Sequence, residues 1–245
     1  MIRLENITKH YQKLKALDNL NLDIPKGCLF GFIGPNGAGK TTTIRILSGI
    51  LMPDTGTVEI AGIRLNKHPE QAKQKIGFIP DRPYLYEKMT GNEYLKFCAD
   101  IYHVSSKDFI TARDRYLRLF SMNDFADNLI ESYSHGMKQR MVMASALIHD
   151  PEIIVVDEPM VGLDPAAIRL VKRLFRELAD QGKTIFMSTH TLEIAESICD
   201  MVAIINKGKI LARGTVTDLQ KEAGVSHERL EDLFLYLTRS GQTHE

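Results

Sequence analysis

The sequence predicts an α/β fold: a mostly parallel central sheet, an antiparallel β layer at the N-terminal end and an inserted α-helical subdomain. Three observations predict it. The first two dozen residues nearly alternate apolar and polar side chains; three later runs, "CLFGFIG", "EIIVVDE" and "TIFMSTH", are apolar at consecutive positions; and from Glu87 to about Glu131 Leu, Phe, Tyr and Met recur at three- and four-residue intervals among many charges. Alternation marks strands with one buried face, consecutive apolar residues mark strands buried on both faces, and the longer spacing marks amphipathic helix.

Taken in order, "IRLENI" and "LDNLNLDI" form the antiparallel layer, which Pro25-Lys26-Gly27 ends. "CLFGFIG" is a buried strand, and a Gly-rich loop leads from it into the helix "KTTTIRILSGIL"; "TVEIAG" and "KIGFIP" are further strands. "GNEYLKFCADIYHV" and "RDRYLRLFSM" are helices of the insertion, and "YSHGMKQRMVMASALIHD" is a Ser-His-Gly turn running into another helix. The rest alternates strand and helix through "EIIVVDE", "PAAIRLVKRLFRELADQ", "TIFMSTH", "TLEIAESICD", "MVAIINKG" and "KILARG", the wiring of a parallel sheet. One domain is expected: residues 1–86 and 132–222 as the core with its β layer, 87–131 as the helical subdomain, and 223–245 as a C-terminal helix. Leu230, Leu233, Phe234 and Leu237 mark one face of that helix, which is expected to pack back on its own domain.

The 245 residues, 44% of them hydrophobic, are enough for a sizeable core. Thirty-one basic residues balance thirty-one acidic ones, so no global field points toward nucleic acid or an anionic membrane. Cys28, Cys98 and Cys199 are far apart with no paired spacing, which reads as three small core thiols in a reducing cytoplasm. The N-terminus is charged throughout, and no apolar run approaches the ~20 residues that span a bilayer, so any membrane crossing is expected to belong to other chains.

The chemistry concentrates in three places. "GPNGAGKT" fits GxxxxGK[ST] between a buried strand and a helix, the context of a P-loop NTPase phosphate loop. Gly34, Pro35, Asn36, Gly37, Ala38 and Gly39 form the loop, and the flexible Gly37 and Gly39 let successive N–H groups turn toward a phosphate at the helix N-terminus. Lys40 is then placed to reach the β- and γ-phosphates, Thr41 to put its hydroxyl on Mg²⁺, and Thr42 to add a phosphate contact. "IIVVDEP" delivers Asp157, a carboxylate for the hydration shell of Mg²⁺, and Glu158, which can orient or deprotonate water. Alone, such an Asp-Glu pair would read as a helix-capping turn. His190 ends "TIFMSTH" and should emerge on the same sheet edge as Asp157, as a γ-phosphate sensor or a group that positions Glu158. Tyr11, in "KHYQK", is an aromatic that could stack on adenine.

The order Tyr11, "GPNGAGKT", "YSHGM", "IIVVDEP", "GLDP" and "STH" resembles the ATP-binding-cassette ATPases over nearly the whole chain. The resemblance implies a RecA-like core that binds ATP with Mg²⁺ in a head-to-tail dimer. The signature turn of one subunit, here Ser134 and the N–H groups around Gly136, would complete the site of the other, and Asp164 would lie in the loop crossing that interface. It also implies a groove beside the helical subdomain that receives a helix from a transmembrane permease chain, so the protein would sit on the cytoplasmic face of the membrane. The overall sequence looks like cassettes of exporter systems, including drug and antibiotic efflux systems.

Two positions depart from the family pattern. His135 and Met137 replace a glycine and a glutamine of the signature, and Asp81 stands where many relatives carry a glutamine that touches Mg²⁺ and water. A carboxylate at that place could hold the metal more directly but would repel the γ-phosphate. Chromosome-type relatives carry long coiled coils between phosphate loop and signature, which the roughly ninety residues here exclude. A soluble cassette of iron–sulfur cluster assembly stays open as the alternative.

Overall fold

The computed structural model describes residues 1–160 and 163–222, with Glu231 and Phe234 beyond them. The helix expected over 223–245 lies otherwise outside the described residues. In chain order the elements are β1 Ile2–Tyr11, β2 Leu14–Ile24, β3 Leu29–Ile33, α1 Lys40–Leu47, β4 Thr55–Ile60, β5 Ile63–Arg64, α2 Pro69–Gln74, β6 Ile76–Ile79, α3 Gly91–Ile101 and α4 Ser106–Leu119. They continue with α5 His135–Leu147, β7 Ile153–Asp157, α6 Pro165–Asp180, β8 Thr184–Thr189, α7 Leu192–Ile198, β9 Met201–Asn206, β10 Lys209–Gly214 and α8 Val216–Glu222.

The strands form two sheets. One is antiparallel, in the order β2-β1-β4-β5; the other runs β10-β9-β3-β8-β7-β6, parallel except for β10 at its edge. The central strands carry runs of consecutive apolar residues because each is covered on both faces. Ile154 and Val156 of β7, with Ile185 and Met187 of β8, face a core shared with α3 to α6; Ile153, Val155 and Phe186 face a second core shared with α1 and the antiparallel layer. Successive side chains of a strand point to opposite faces, so an uninterrupted apolar run feeds both cores at once. Phe186 packs on Phe30 and Phe32 at ring-centroid distances of 5.9 and 5.1 Å, which clamps β3 to β8.

The two long helices between Glu87 and Glu131 start where side chains cap them. Thr90 Oγ1 accepts the Glu93 N–H at 3.2 Å while the Glu93 carboxylate accepts the Thr90 N–H at 2.8 Å, and Ser105 caps α4 by accepting the Asp108 N–H. Leu95, Ala99, Tyr116 and Phe120 pack with Met141 and Ala144 of α5 in one core. A Cβ on Gly91 would sit 2.5 Å from the Tyr133 hydroxyl, so α3 meets the start of α5 at a place only glycine fits. All three cysteines are free thiols; Cys28 is buried, whereas Cys98 and Cys199 are half-buried.

One histidine is structural. His149, just past α5, donates from Nε2 to the Ile76 carbonyl at 3.1 Å and stacks on Tyr102 with centroids 3.6 Å apart. Burial pushes its pKa down from 6.5 to about 4, so the folded protein holds it neutral where the unfolded chain would protonate it. The stabilisation is therefore complete above pH 6.5 and lost as pH falls toward about 4. In urea unfolding, the wild type should lose stability across that window more steeply than His149→Gln, which keeps a donor for Ile76 but does not titrate; parallel curves would contradict this.

Candidate functional site

The parallel strands β3, β8 and β7 are neighbours, so their C-terminal ends open onto one edge of the sheet, where ligands of such sheets bind. The loop Gly34–Gly39 leaves β3 and enters α1 there. It is tightly seated. A Cβ on Gly34 would lie 2.4 Å from the Ile205 carbonyl oxygen, and one on Gly39, whose φ is 111°, would lie 2.8 Å from the Ala16 carbonyl oxygen. Gly208, in the turn between β9 and β10, donates its N–H to the Ala38 carbonyl at 2.9 Å. By contrast, a Cβ on Gly37 would meet nothing within 4 Å, so its positive φ of 78° is the reason for glycine there.

Lys40 is buried and its Nζ donates to the carbonyls of Gly34 at 2.6 Å and Pro35 at 3.2 Å. Desolvation lowers its pKa, and the nearby Glu158 and Asp157 carboxylates oppose that shift. Thr43 Oγ1 donates to the Gly39 carbonyl at 3.0 Å, fastening the first turn of α1.

Asp157 ends β7 and pairs in register with Ser188 of β8, whose hydroxyl donates to Asp157 Oδ1 at 2.5 Å. Burial holds the Asp157 carboxyl above its ordinary pKa; the Ser188 hydrogen bond pulls the other way, while Asp81 and Glu158 push it up further. Glu158, one residue on, adopts a left-handed backbone with φ of 49°, sparsely populated by non-glycine residues. His190 Nδ1 lies 2.9 Å from Glu158 Oε1, and the His190 N–H donates to Glu158 Oε2 at 3.4 Å. A strained carboxylate and a histidine thus meet at the lip of the cleft.

The cleft has a volume of about 670 Å³, within the range of small-molecule sites. It gathers Tyr11, Pro35, Asn36, Gly37, Gly39, Lys40, Thr41, Thr42, Asp81, Asp157, Glu158 and His190. Gly34 and Ala38 are buried behind the loop and seat it. Sequence reasoning missed Leu14, Lys15, Ala16 and Lys207, which also line the cleft, and Ser188, which holds Asp157. Their signal was indirect: Leu14 is the cross-strand partner of Tyr11, and Lys207-Gly208 is a hairpin turn with both φ angles positive.

Three expected residues lie away from this cleft. Ser134 is the exposed N-cap of α5, and Gly136 follows in its first turn, where an added Cβ would meet nothing within 4 Å. The Met137 N–H donates to Ser134 Oγ at 3.3 Å, and the Met137 sulfur accepts the Ser134 N–H at 3.4 Å. A thioether therefore takes the place that a Glu or Gln side chain fills in a capping box, a role the substitution alone did not reveal. Asp164 caps α6, accepting the Ala166 and Ala167 N–H groups at 2.8 and 2.9 Å, and these bonds hold its carboxyl below the usual range.

Asp81 lines a second hollow too, a groove of about 450 Å³ beside the helical segment, with Ile44, Arg45, Phe78, Tyr84 and Tyr94 among its walls. Tyr84 is 77% and Ile50 62% exposed at that groove. Thr41, Asp81 and Asp157 offer hard oxygens to one cleft, and Ser188 occupies only one Asp157 oxygen. Among the described residues no three His, Cys, Asp or Glu side chains gather to hold a metal. One or two carboxylates with phosphate oxygens and water are the usual shell of Mg²⁺, so the donors fit.

Comparison with known proteins agrees with the geometry. The profile of the ABC transporter family matches residues 17–161. The linearmycin resistance ATP-binding protein LnrL of Bacillus subtilis (strain 168) is 35% identical over 98% of this chain and 76% of its own length. A solved ATP binding subunit of an ABC transporter superposes with a TM-score of 0.93 at 32% identity, covering 97% of this chain and 99% of that one. A dimeric ATP-binding cassette in a post-hydrolysis state, bound to ADP and Pi, superposes at 0.78 with 27% identity over 88% of this chain and 99% of that one.

The Ser188 contact yields a pH test. Ser188→Ala removes the hydrogen bond that favours ionised Asp157, so the carboxyl should ionise only at higher pH. MgATP affinity, measured by calorimetry from pH 6 upward, should be about tenfold weaker at the acidic end and recover on the alkaline side. An unchanged pH profile would show that Asp157 does not need Ser188.

Proposed function

This chain belongs to the ABC transporter family as one of its ATP-binding subunits, and from that premise we propose that it drives transport through a separate transmembrane permease by hydrolysing ATP at two sites shared across a dimer. The observation that carries the reading is that the phosphate loop, Asp157, Glu158 and His190 meet at one cleft, with His190 2.9 Å from Glu158. In-line attack by water on the γ-phosphate needs charge stabilisation and a placed base rather than covalent chemistry. Lys40 would release the loop carbonyls and turn to the β- and γ-phosphates, while loop N–H groups take the remaining charge. Glu158 would accept the proton of the attacking water, and His190 would hold Glu158 in position. Mg²⁺, held by Thr41 and Asp157 with Asp81 alongside, would neutralise phosphate charge.

Ser134, His135 and Gly136 of the signature turn do not line the cleft. Ser134 and the N–H groups of His135 and Gly136, at the positive end of α5, would therefore serve the γ-phosphate held by a second subunit. That the similar post-hydrolysis cassette is dimeric supports a dimer here. ATP would close the two subunits head to tail and hydrolysis would reopen them, with Asp164 at the crossing loop. The groove beside Asp81, with its exposed Tyr84 and Ile50, suits an apolar helix of the permease at the cytoplasmic face of the membrane. No helix among the described residues is long and apolar enough to cross a membrane itself. Similarity to a linearmycin resistance ATP-binding protein and to a Nod factor export ATP-binding protein supports export of a small molecule over iron–sulfur cluster assembly.

The base assignment has a direct test. Glu158→Gln should bind ATP with near wild-type affinity, lose turnover by about 10²-fold or more, and run as a dimer in gel filtration with MgATP. A turnover rate close to wild type would remove Glu158 from its role.

A further inference from the structure

A third hollow stands apart from the nucleotide cleft and from the groove beside Asp81, and it shares no lining residue with either. Its volume is about 650 Å³, close to that of the cleft. The turn from α3 to α4, one side of α4 and the end of α5 form its walls, so it lies where the helical segment meets the core. Tyr102, Val104 and Ala112, each half-buried, give it apolar surface, and Tyr102 is fixed there by its stack on His149. A hollow of this size, largely apolar with a few polar groups, has the usual form of a small-molecule site.

The charged groups of its wall are unequally matched. Two carboxylates line it, and both are engaged: Asp108 accepts the Ser105 hydroxyl at 2.7 Å in the first turn of α4, where the helix dipole favours its charge, and Asp150 pairs with Lys183 Nζ at 2.8 Å. Arg115 also lines it, is exposed, and makes no hydrogen bond or ion pair among the described residues. Its guanidinium lies 5.5 Å from the centroid of the Tyr116 ring, which holds it beside the apolar surface. A guanidinium keeps its charge throughout the working range of proteins and offers a planar fork that takes a carboxylate through two hydrogen bonds. A doubly charged phosphate would meet a single guanidinium against two carboxylates, so one carboxylate is the better match.

We propose that this hollow is a ligand site for a small aromatic carboxylate, with the anionic group on Arg115 and the ring against Tyr102, Val104 and Ala112. Rings pack on rings at an offset or edge to face, which the fixed Tyr102 allows, and the aliphatic side chains cover the rest of the ligand. The site is separate from the nucleotide cleft, so the two ligands bind without displacing one another. An occupant there touches both α4 and the end of α5.

The test is calorimetric titration of the full chain with 2-naphthoate, in excess MgADP so that the nucleotide cleft is filled. Saturable binding with a Kd of about 0.1 mM is expected, and naphthalene-2-carboxamide, which has the same shape without the charge, should bind about tenfold more weakly. Arg115→Gln, at an exposed position, should weaken naphthoate by about tenfold and leave the carboxamide unchanged. Arg118→Gln, exposed on the same helix but outside the hollow, should change neither, and Thr111→Trp, which fills the hollow from an exposed position of α4, should abolish both. No saturable binding at millimolar naphthoate, equal affinity for the acid and the amide, wild-type affinity in Arg115→Gln or Thr111→Trp, or an equal loss in Arg118→Gln overturns the proposal.

Discussion

The site depends on one packing constraint: the phosphate loop is wedged where backbone meets backbone with no room for a side chain. Gly34 lies against the Ile205 carbonyl of β9, Gly39 against the Ala16 carbonyl of β2, and Gly208 reaches back to bond Ala38. These contacts tie the loop to the central sheet and to the antiparallel layer at once. A loop held that way is organised before a ligand arrives, so little binding energy is lost in ordering it. Lys40 shows the same economy, since its ammonium already rests on two loop carbonyls that it can exchange for phosphate oxygens.

Sheet order then decides which chemistry reaches the loop. Because β8 lies between β3 and β7, Ser188 sits opposite both Phe32 and Asp157 in register, and Glu158 and His190 follow at adjacent strand ends. Desolvation, Glu158 and Asp81 all disfavour charge on Asp157, and the Ser188 hydroxyl and Lys40 resist them. Acids crowded at one end of the cleft and ammoniums at the other give it a polarity along its length, suited to a metal-bound phosphate chain at one end and a base at the other.

The fold was legible in the sequence because the central strands carry runs of consecutive apolar residues, a pattern that burial on both faces sustains, and because capping residues such as Thr90 and Ser105 sit before the helices they start. The short elements β5, α2 and α8 were not, since two to seven residues carry too little periodicity to separate from a turn. At the site, the loop glycines and the Asp157-Glu158 pair follow from local sequence. Lys15, Lys207 and Ser188 do not, because only the sheet order brings them in from distant segments. Met137 was readable only as a departure from the family pattern; that its sulfur closes the cap of α5 required coordinates.

The cleft lined by the phosphate loop and the capped, exposed start of α5 are separate places on one chain, for none of Ser134, His135 and Gly136 lines the cleft. Each feature explains the other if two copies exchange them. Mixing two inactive variants, Lys40→Ala, which spoils the loop, and Ser134→Arg, which spoils the signature turn, tests this most directly. Mixed dimers would carry one site damaged twice and one intact, so turnover should return to about a quarter of the wild-type value. If the mixture stays as inactive as its components while mixed dimers form, the site is not shared between subunits.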